Sequence, residues 1–393
     1  MDEYDVIIVG GGIHGAGVLQ AAAAAGYRAL LIEKRALASG TSSRSSKLIH
    51  GGLRYLESGQ FALVRESLRE RATHLRIAAD LVELKPFFIP VYRDTRRRPW
   101  QLKLGLLAYA MLGRFDSSTR FGSVPKSQWS ELDGLETEGL DDVIRYYDAQ
   151  TDDAALTRAV VQSARSLGAE TAMPSNFISA QLTDGGVEVV HEEGGARREV
   201  RARVLVNAAG PWAMQVARAV RPAILIPSVE LVQGTHIVVP FKVKAGIYYV
   251  ESPQDGRAVF IMPWHAATLI GTTETPFQGD PDEVHPLPQE EEYLLAVARR
   301  YFPAWGGMTR ANISQRFAGL RVLPKATEGV FNRSRETILS VDRAANPRVL
   351  GIYGGKLTGW RAAAERVLER IGPSLPQRRR LAETQDLILR RSI

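Results

Sequence analysis

The sequence predicts an α/β protein in which a Rossmann-like domain is interleaved with a domain built on an antiparallel sheet. Three observations predict it. The first 33 residues hold a complete β-α-β unit with a glycine-rich loop between strand and helix. From Val229 to Pro324 the pattern is one of successive strands. Late in the chain an apolar strand, Val349–Tyr353, runs into a second glycine turn and a helix, so the chain returns to the first domain.

Asp5–Val9 is a short, wholly apolar run after its first residue, as expected of a strand buried on both faces of a parallel sheet. It enters Gly10-Gly11-Gly12-Ile13-His14-Gly15, then a small-residue helix from Ala16 to Ala25 that Gly26 stops. Arg28–Ile32 is the next strand and ends at Glu33. A loop rich in Ser, Gly and basic residues covers Ser39–Gly52, and a helical pattern covers Phe61–Glu83. Asp152–Leu167 reads as a further helix closed by Gly168. Strands at Glu188–His191 and Val200–Val206 flank a Gly194-Gly195 turn. The strand-rich stretch holds Thr235–Val239, Ile247–Val250, Val259–Met262, Thr268–Thr272 and Arg316–Val322. A helix over Arg361–Ile371 follows the second glycine turn, and the basic tail beyond Gly372 is expected to be loosely ordered.

Gly10, Gly12 and Gly15 fit G-x-G-x-x-G, a dinucleotide-binding fingerprint. The first glycine permits the tight turn, the second lets a pyrophosphate approach the backbone, and the third lets helix and strand pack closely. The pyrophosphate then meets the free N–H groups and positive dipole end of the helix. Glu33, 23 residues after Gly10, stands where a carboxylate accepts from a ribose diol. Nicotinamide dinucleotides are the default for this motif alone. The motif's N-terminal position and the closing strand–Gly-Gly–helix element favour FAD, and no second such motif is present for NAD(P).

The segment Thr41–Glu57 (TSSRSSKLIHGGLRYLE) resembles the signature of FAD-dependent glycerol-3-phosphate dehydrogenases, within the D-amino-acid-oxidase-like flavoprotein superfamily. Further stretches agree in order: Tyr147-Asp148 with Asp152-Asp153, Val206–Trp212, Gly234–Pro240, Pro263-Trp264, Ile270–Thr273, Gly319–Pro324 and Gly354–Thr358. The resemblance spans residues 4–371. It implies oxidation of sn-glycerol 3-phosphate to dihydroxyacetone phosphate, with electrons passed to a quinone or, in an oxidase branch, to oxygen. It implies FAD contacts from Gly10, Gly12, Ile13, Gly15, Glu33, Lys34, Thr41, Ser42, Ser43, Lys47, Leu48 and His50. Ala209, Gly210 and Gly354-Gly355-Lys356-Leu357-Thr358 complete that set. Family members carry a further helical C-terminal domain that these 393 residues do not contain. Gly359-Trp360 and His14 also depart from the family pattern.

The expected division is a discontinuous FAD-binding domain over 1–85, 145–215 and 330–372, a substrate domain over 86–144 and 216–329, and a basic tail over 373–393.

Alcohol oxidation by a flavin requires a hydride acceptor, a base for the hydroxyl proton and groups that orient the substrate. By resemblance, Arg321 and Arg335 hold the phosphate, with Arg54 and Tyr55 beside them; arginine suits that task through its bidentate donors. Two residues remain open as the base. His50 titrates near neutrality unaided, and Lys356 loses its proton if desolvated beside other cations. His50 is favoured, with Lys356 and Arg321 as its electrostatic partners. His236, in an alternating strand, reads as a packed histidine.

Arg93, Arg96, Arg97, Arg98 and Lys103 accompany an apolar stripe of Trp100, Leu104, Leu107 and Met111. A basic amphipathic helix of this kind reads as an interfacial anchor for an anionic membrane, or else as a helix packed on the substrate domain. The formal charge of +7 fits an anionic substrate or membrane surface, and no nucleic-acid-binding motif accompanies it. Cysteine is absent, which excludes disulfides, thiolate catalysis and Cys-ligated metal; no histidine spacing calls for a metal either. The expected location is cytoplasmic, peripheral on the inner face of the membrane, and a homodimer is allowed. Two rival readings are a flavin oxidase of a hydroxy acid or amine, and a flavin-binding subunit of low turnover.

Overall fold

In the computed structural model, residues 2–325 and 337–391 are described. The α-helices among them are α1 (Ile13–Ala24), α2 (Phe61–Ile77), α3 (Pro99–Leu112), α4 (Asp153–Ser166), α5 (Ala213–Arg218), α6 (Pro288–Tyr301) and α7 (Trp360–Ile371).

A nine-stranded sheet carries the first domain. Its centre is parallel: Glu170–Ala172, Ala29–Ile32, Asp2–Val9 and Ala196–Asn207 lie side by side, and Val349–Gly354 joins on the far side. The register sets Ile8 opposite Leu31 and Val206, and Val206 opposite Leu350. The carboxyl ends of the first four therefore stop level, and Val349–Gly354 runs three residues further, which gathers the loops after them at one edge. Ser175–Thr183, Gly186–Glu193 and the first half of Ala196–Asn207 form an antiparallel meander that extends the sheet.

Helix α1 is buried almost throughout, between α4 and α7. Its small side chains make that possible: a Cβ on Gly17 would lie 2.7 Å from the Trp360 ring of α7. Asp152 caps α4 by accepting from the Ala155 N–H.

A ten-stranded, mostly antiparallel sheet carries the second domain. Val229–Val239 pairs with Gln315–Pro324 along almost its whole length and with Ala267–Gly271 over its C-terminal half. Ala258–Trp264, Ile247–Glu251, Val82–Tyr92 and Leu140–Thr151 continue the sheet. Helix α6 covers one face through Leu294, Leu295, Val297 and Ala298.

Three expectations need correction. The helical pattern expected to reach Glu83 stops at Ile77, and Val82–Tyr92 is a strand. Pairing with Leu140–Thr151 along the whole strand, with the aromatic pair Phe87-Phe88 suited to a sheet, takes these residues out of the helix. The expected boundary at 145 falls inside Leu140–Thr151, which stays in the second sheet to its end, as does Leu48–Ile49. The tail is docked rather than loose: Arg378 pairs with Asp5 at 3.2 Å, and the Leu381 N–H bonds the Ala24 carbonyl at 2.7 Å. The Leu389 N–H bonds Ile77 at 2.7 Å, and its side chain is buried.

His74 of α2 stacks on Trp360, ring centroids 5.5 Å apart. Burial, with Arg361 nearby, pulls its pKa down to about 3. An unfolded histidine titrates near 6.5, so below that pH the unfolded chain takes up the extra proton and stability falls as pH drops, by at most about 1.4 kcal/mol per unit. His74→Phe keeps the stack and removes the titration. Compared with the wild type, it should gain about 2 kcal/mol between pH 7 and pH 5, read from denaturant midpoints. The same pH dependence in both proteins would refute this account.

Candidate active site

The level carboxyl ends of the parallel strands face the second sheet across a cavity of about 560 Å³. The glycine loop forms one end. Gly10 has φ +110°, a conformation that disfavours side chains, and a Cβ on Gly15 would lie 1.9 Å from the Gly10 carbonyl oxygen. Gly15 itself is away from the cavity; its part is the close packing of α1 on the first strand. Gly10, Gly12 and Ile13 line the cavity at the α1 N-terminus. Ser42 Oγ accepts from the Ile13 N–H at 2.9 Å, which joins the Thr41–Ser43 turn to the glycine loop. Thr41 Oγ1 in turn donates to the Leu320 carbonyl at 2.8 Å, across to the second sheet.

Glu33 lies at the end of the second strand, and its carboxylate accepts from the Gly11 N–H at 2.7 Å and the Arg35 N–H at 2.8 Å. It also lines the cavity, as does Lys34, whose Nζ pairs with Asp282 and lies 4.0 Å from the centroid of the Trp212 ring. Ala209 and Gly210, after the Ala196–Asn207 strand, and Gly354-Gly355-Lys356-Leu357-Thr358, after Val349–Gly354, close the cavity from the remaining carboxyl ends. Leu48 and His50 enter from the signature loop. The donor set suits FAD: a glycine cradle at a helix N-terminus for pyrophosphate, a carboxylate for ribose, and two further strand ends with the signature loop over the remainder.

Ser43 and Lys47, expected at the cofactor, are turned away from the cavity. Lys47 is buried, with its Nζ 2.6 Å from Asp153 and 2.5 Å from the Ser43 carbonyl. Its charge is committed to the base of the loop, and Ser43 Oγ donates back to the Gly40 carbonyl. Arg335 lies outside the described residues.

His50, Arg54, Tyr55, Arg321 and Lys356 also line the cavity. Lys356 Nζ sits 3.6 Å from the centroid of the Tyr55 ring, so signature loop and closing turn meet face to face. Arg321 Nη2 donates to Thr272 Oγ1 at 2.9 Å, and its Nη1 lies 3.5 Å from the Glu274 carboxylate. Gly234 leaves room for this guanidinium, since a Cβ there would lie 2.5 Å from Nη2.

His236, which the strand pattern reads as packed, lines the cavity, and so do Tyr249, Arg257 and Glu274, which no sequence motif singles out. His236 stacks on Phe317 at 5.1 Å and bonds Ser46 through Nε2 at 3.0 Å. Burial first, then Arg321 and Lys47, holds its pKa far below the ordinary histidine value, so it is neutral. The signal was present in the strand period. Register pairs Gly234 with Gly319 and His236 with Phe317, which puts His236 on the face that Arg321 shares with Gly319. Arg257 Nη1 donates to the Glu274 carbonyl at 2.9 Å. No group of metal-ligating side chains occurs among the described residues.

A family model described as FAD dependent oxidoreductase matches residues 5–364. The chain belongs to that family. It is an enzyme, and FAD is its cofactor. Within the family it groups with FAD-dependent glycerol-3-phosphate dehydrogenases. It is 36% identical over 386 residues to the glycerol-3-phosphate dehydrogenase of Pseudomonas tolaasii, covering 96% of this chain and 73% of the relative. It is 35% identical to the D-erythritol 1-phosphate dehydrogenase of Brucella abortus, covering 96% and 75%. A Bacillus halodurans glycerol-3-phosphate dehydrogenase complexed with FAD superposes with a TM-score of 0.76 at 26% identity, covering 98% of this chain and 68% of that one.

A methyl group at Gly15 must push α1 off the first strand. Gly15→Ala should weaken FAD binding at least about tenfold, or roughly 1.4 kcal/mol, read as flavin absorbance per protein after dialysis. Gly105→Ala, whose Cβ would meet only Leu53 at 4.0 Å, is the control and should stay fully loaded. Full flavin retention by Gly15→Ala would contradict this role.

Proposed function

We propose that this enzyme oxidises sn-glycerol 3-phosphate, or a closely related polyol phosphate, to the corresponding ketone phosphate and passes the electrons to a quinone. The observation that carries the reading is the gathering of Arg54, Arg321, Lys356 and His50 in the cavity that also bears the dinucleotide cradle. FAD, when bound, supplies the hydride acceptor. The residues supply the rest. Arg54 and Arg321 hold the dianionic phosphate and so fix which carbon faces the flavin. His50 takes the hydroxyl proton. Lys356 adds fixed positive charge at the flavin-facing end, which favours the negative charge that builds up as the alcohol is oxidised. Arg335 is proposed as a further phosphate ligand. Tyr55 supports Lys356 through its ring.

The relatives named for glycerol 3-phosphate and for erythritol 1-phosphate support a phosphorylated polyol over an amine or hydroxy acid. The test is anaerobic. Glycerol 3-phosphate added to the purified protein should bleach the visible flavin band, and glycerol should not. No bleaching by either polyol phosphate would overturn the reading. Arg321→Ala should lower kcat/KM about 10- to 150-fold for the phosphorylated substrate, the equivalent of one charge-assisted contact, and far less for glycerol. Equal losses for both would remove Arg321 from the phosphate.

We also propose that α3 rests on an anionic membrane surface. No helix among the described residues is long and apolar enough to cross a membrane. Trp100, Leu104, Leu107 and Met111 are exposed together, at 65%, 60%, 42% and 59%. The charge component is smaller than the sequence implied. Arg97 pairs with Glu57 and Glu251, and Lys103 with Asp142. Inserting the exposed parts of four large apolar side chains contributes about 1–2 kcal/mol each, which makes the apolar stripe the main component. Trp100→Ser with Leu104→Ser should abolish co-sedimentation with vesicles of phosphatidylglycerol and phosphatidylcholine while leaving soluble-dye reduction intact. Undiminished sedimentation would refute the anchor.

A further inference from the structure

The peptide at His50 is held from two sides by different parts of the chain. On one side its N–H donates to Thr358 Oγ1 at 3.0 Å, and that hydroxyl lies 3.3 Å from the His50 carbonyl. On the other side the next N–H, of Gly51, is shared between Tyr109 Oη at 3.0 Å and Asp148 Oδ1 at 3.2 Å. Tyr109 Oη donates onward to the Asp148 carboxylate at 2.9 Å. Arg71 completes the set: its Nη1 lies 2.5 Å from Asp148 Oδ1 and 2.9 Å from the Tyr147 carbonyl, and its Nη2 is 2.7 Å from Ser118 Oγ. Arg71, Tyr109 and Asp148 are each 1% exposed.

The fit is tight as well as polar. A Cβ on Gly51 would lie 2.3 Å from Tyr109 Oη and 2.6 Å from Leu68 Cδ2, so the backbone is pressed directly onto the tyrosine. Four separate elements converge here: α2 brings Arg71, α3 brings Tyr109, Leu140–Thr151 brings Asp148, and the turn before α7 brings Thr358. Within the signature loop, the segment 50–52, between the strand Leu48–Ile49 and the 3-10 turn Leu53–Leu56, has no regular structure of its own. Its position therefore depends on these side chains.

We propose that Tyr109 and Asp148 are positioning residues for the oxidation step: through the Gly51 N–H they set the direction of the His50 side chain toward the substrate hydroxyl. The proposal rests on the reading of His50 as the base. A buried Arg–Asp–Tyr set could serve stability alone, and the two roles differ in what they move. A stabilising contact changes the unfolding midpoint. A positioning contact changes the rate of flavin reduction at saturating substrate with little change in KM, because the misplaced group matters in the transition state rather than in binding.

The test uses Tyr109→Phe, which removes one oxygen and keeps the ring. Tyr92→Phe is the comparison: Tyr92 is equally buried and donates to the Glu136 carbonyl, away from the cavity. Flavin-loaded proteins are followed by stopped-flow reduction with glycerol 3-phosphate and by amide hydrogen exchange. Tyr109→Phe should slow reduction about tenfold at unchanged KM, since small displacements of a reacting group carry losses of that order or more. Exchange should rise in the segment 48–56 and not in the parallel sheet. Tyr92→Phe should lower the unfolding midpoint and leave reduction untouched. Asp148→Asn should follow Tyr109→Phe in both readouts where it retains flavin.

Unchanged reduction and unchanged exchange in Tyr109→Phe would overturn the proposal. Equal slowing in Tyr92→Phe would also overturn it, because the effect would then be general destabilisation. If the wild-type flavin is not reduced by the polyol phosphate, the substrate reading fails, and exchange at 48–56 alone decides whether Tyr109 holds the loop.

Discussion

A buried ion pair, Lys47 with Asp153, is the contact on which the arrangement of the two sheets depends. Asp153 opens α4, on the side of the parallel sheet, and also accepts from Ser45 N–H and Oγ. Lys47 belongs to the signature loop, and its Nζ lies 5.3 Å from the Trp264 ring centroid and 5.2 Å from that of Phe317, both in the second sheet. One cation thus ties loop, helix and opposite sheet at a point closed to water. Such a pair adds little net stability over an apolar substitute, but losing one partner costs about 3–5 kcal/mol because a charge is left buried. Its effect is on geometry: it fixes the root of the loop that carries His50, Arg54 and Tyr55 into the cavity.

The cavity's charge follows from what is buried with what. Arg54, Arg321 and Lys356 bring cations to its lining, suited to a phosphate dianion. Glu274 stands beside Arg321 and orients the guanidinium while offsetting part of its charge. The histidines here divide by surroundings. Burial and adjacent cations keep His236 neutral. Burial also lowers His14, in the glycine loop, to about 4. Neither can carry an extra proton near neutral pH, which concentrates the positive charge on the arginines and the lysine.

The surface repeats that economy. Of the basic residues around α3, Arg97 and Lys103 are engaged with carboxylates, whereas the apolar stripe has no covering element within the described residues. The same helix turns Tyr109 inward to the Gly51 N–H. Its outer and inner faces therefore serve different ends: one meets solvent or a surface, and the other supports the loop at the cavity.

Local chemistry was legible in the sequence. Gly10, Gly12, Gly15 and Glu33 are dictated by backbone sterics and helix-terminus electrostatics, and both act within about thirty residues of chain. The stripe on α3 was legible because helical period alone puts Trp100, Leu104, Leu107 and Met111 on one side. The end of α2 is not legible locally, because Pro86 and Pro90 speak against a strand as they do against a helix, and Val82–Tyr92 is a strand through its pairing with Leu140–Thr151. Lys47 was misassigned because a motif fixes which residues are near a cofactor but not which way each side chain turns. Its direction was decided by Asp153, 106 residues away. His236, Arg257, Tyr109 and Arg71 reach the site or its support only through strand register and helix packing between distant segments. Those are long-range contacts, whose partners a single sequence does not name, and only the tertiary structure decided them.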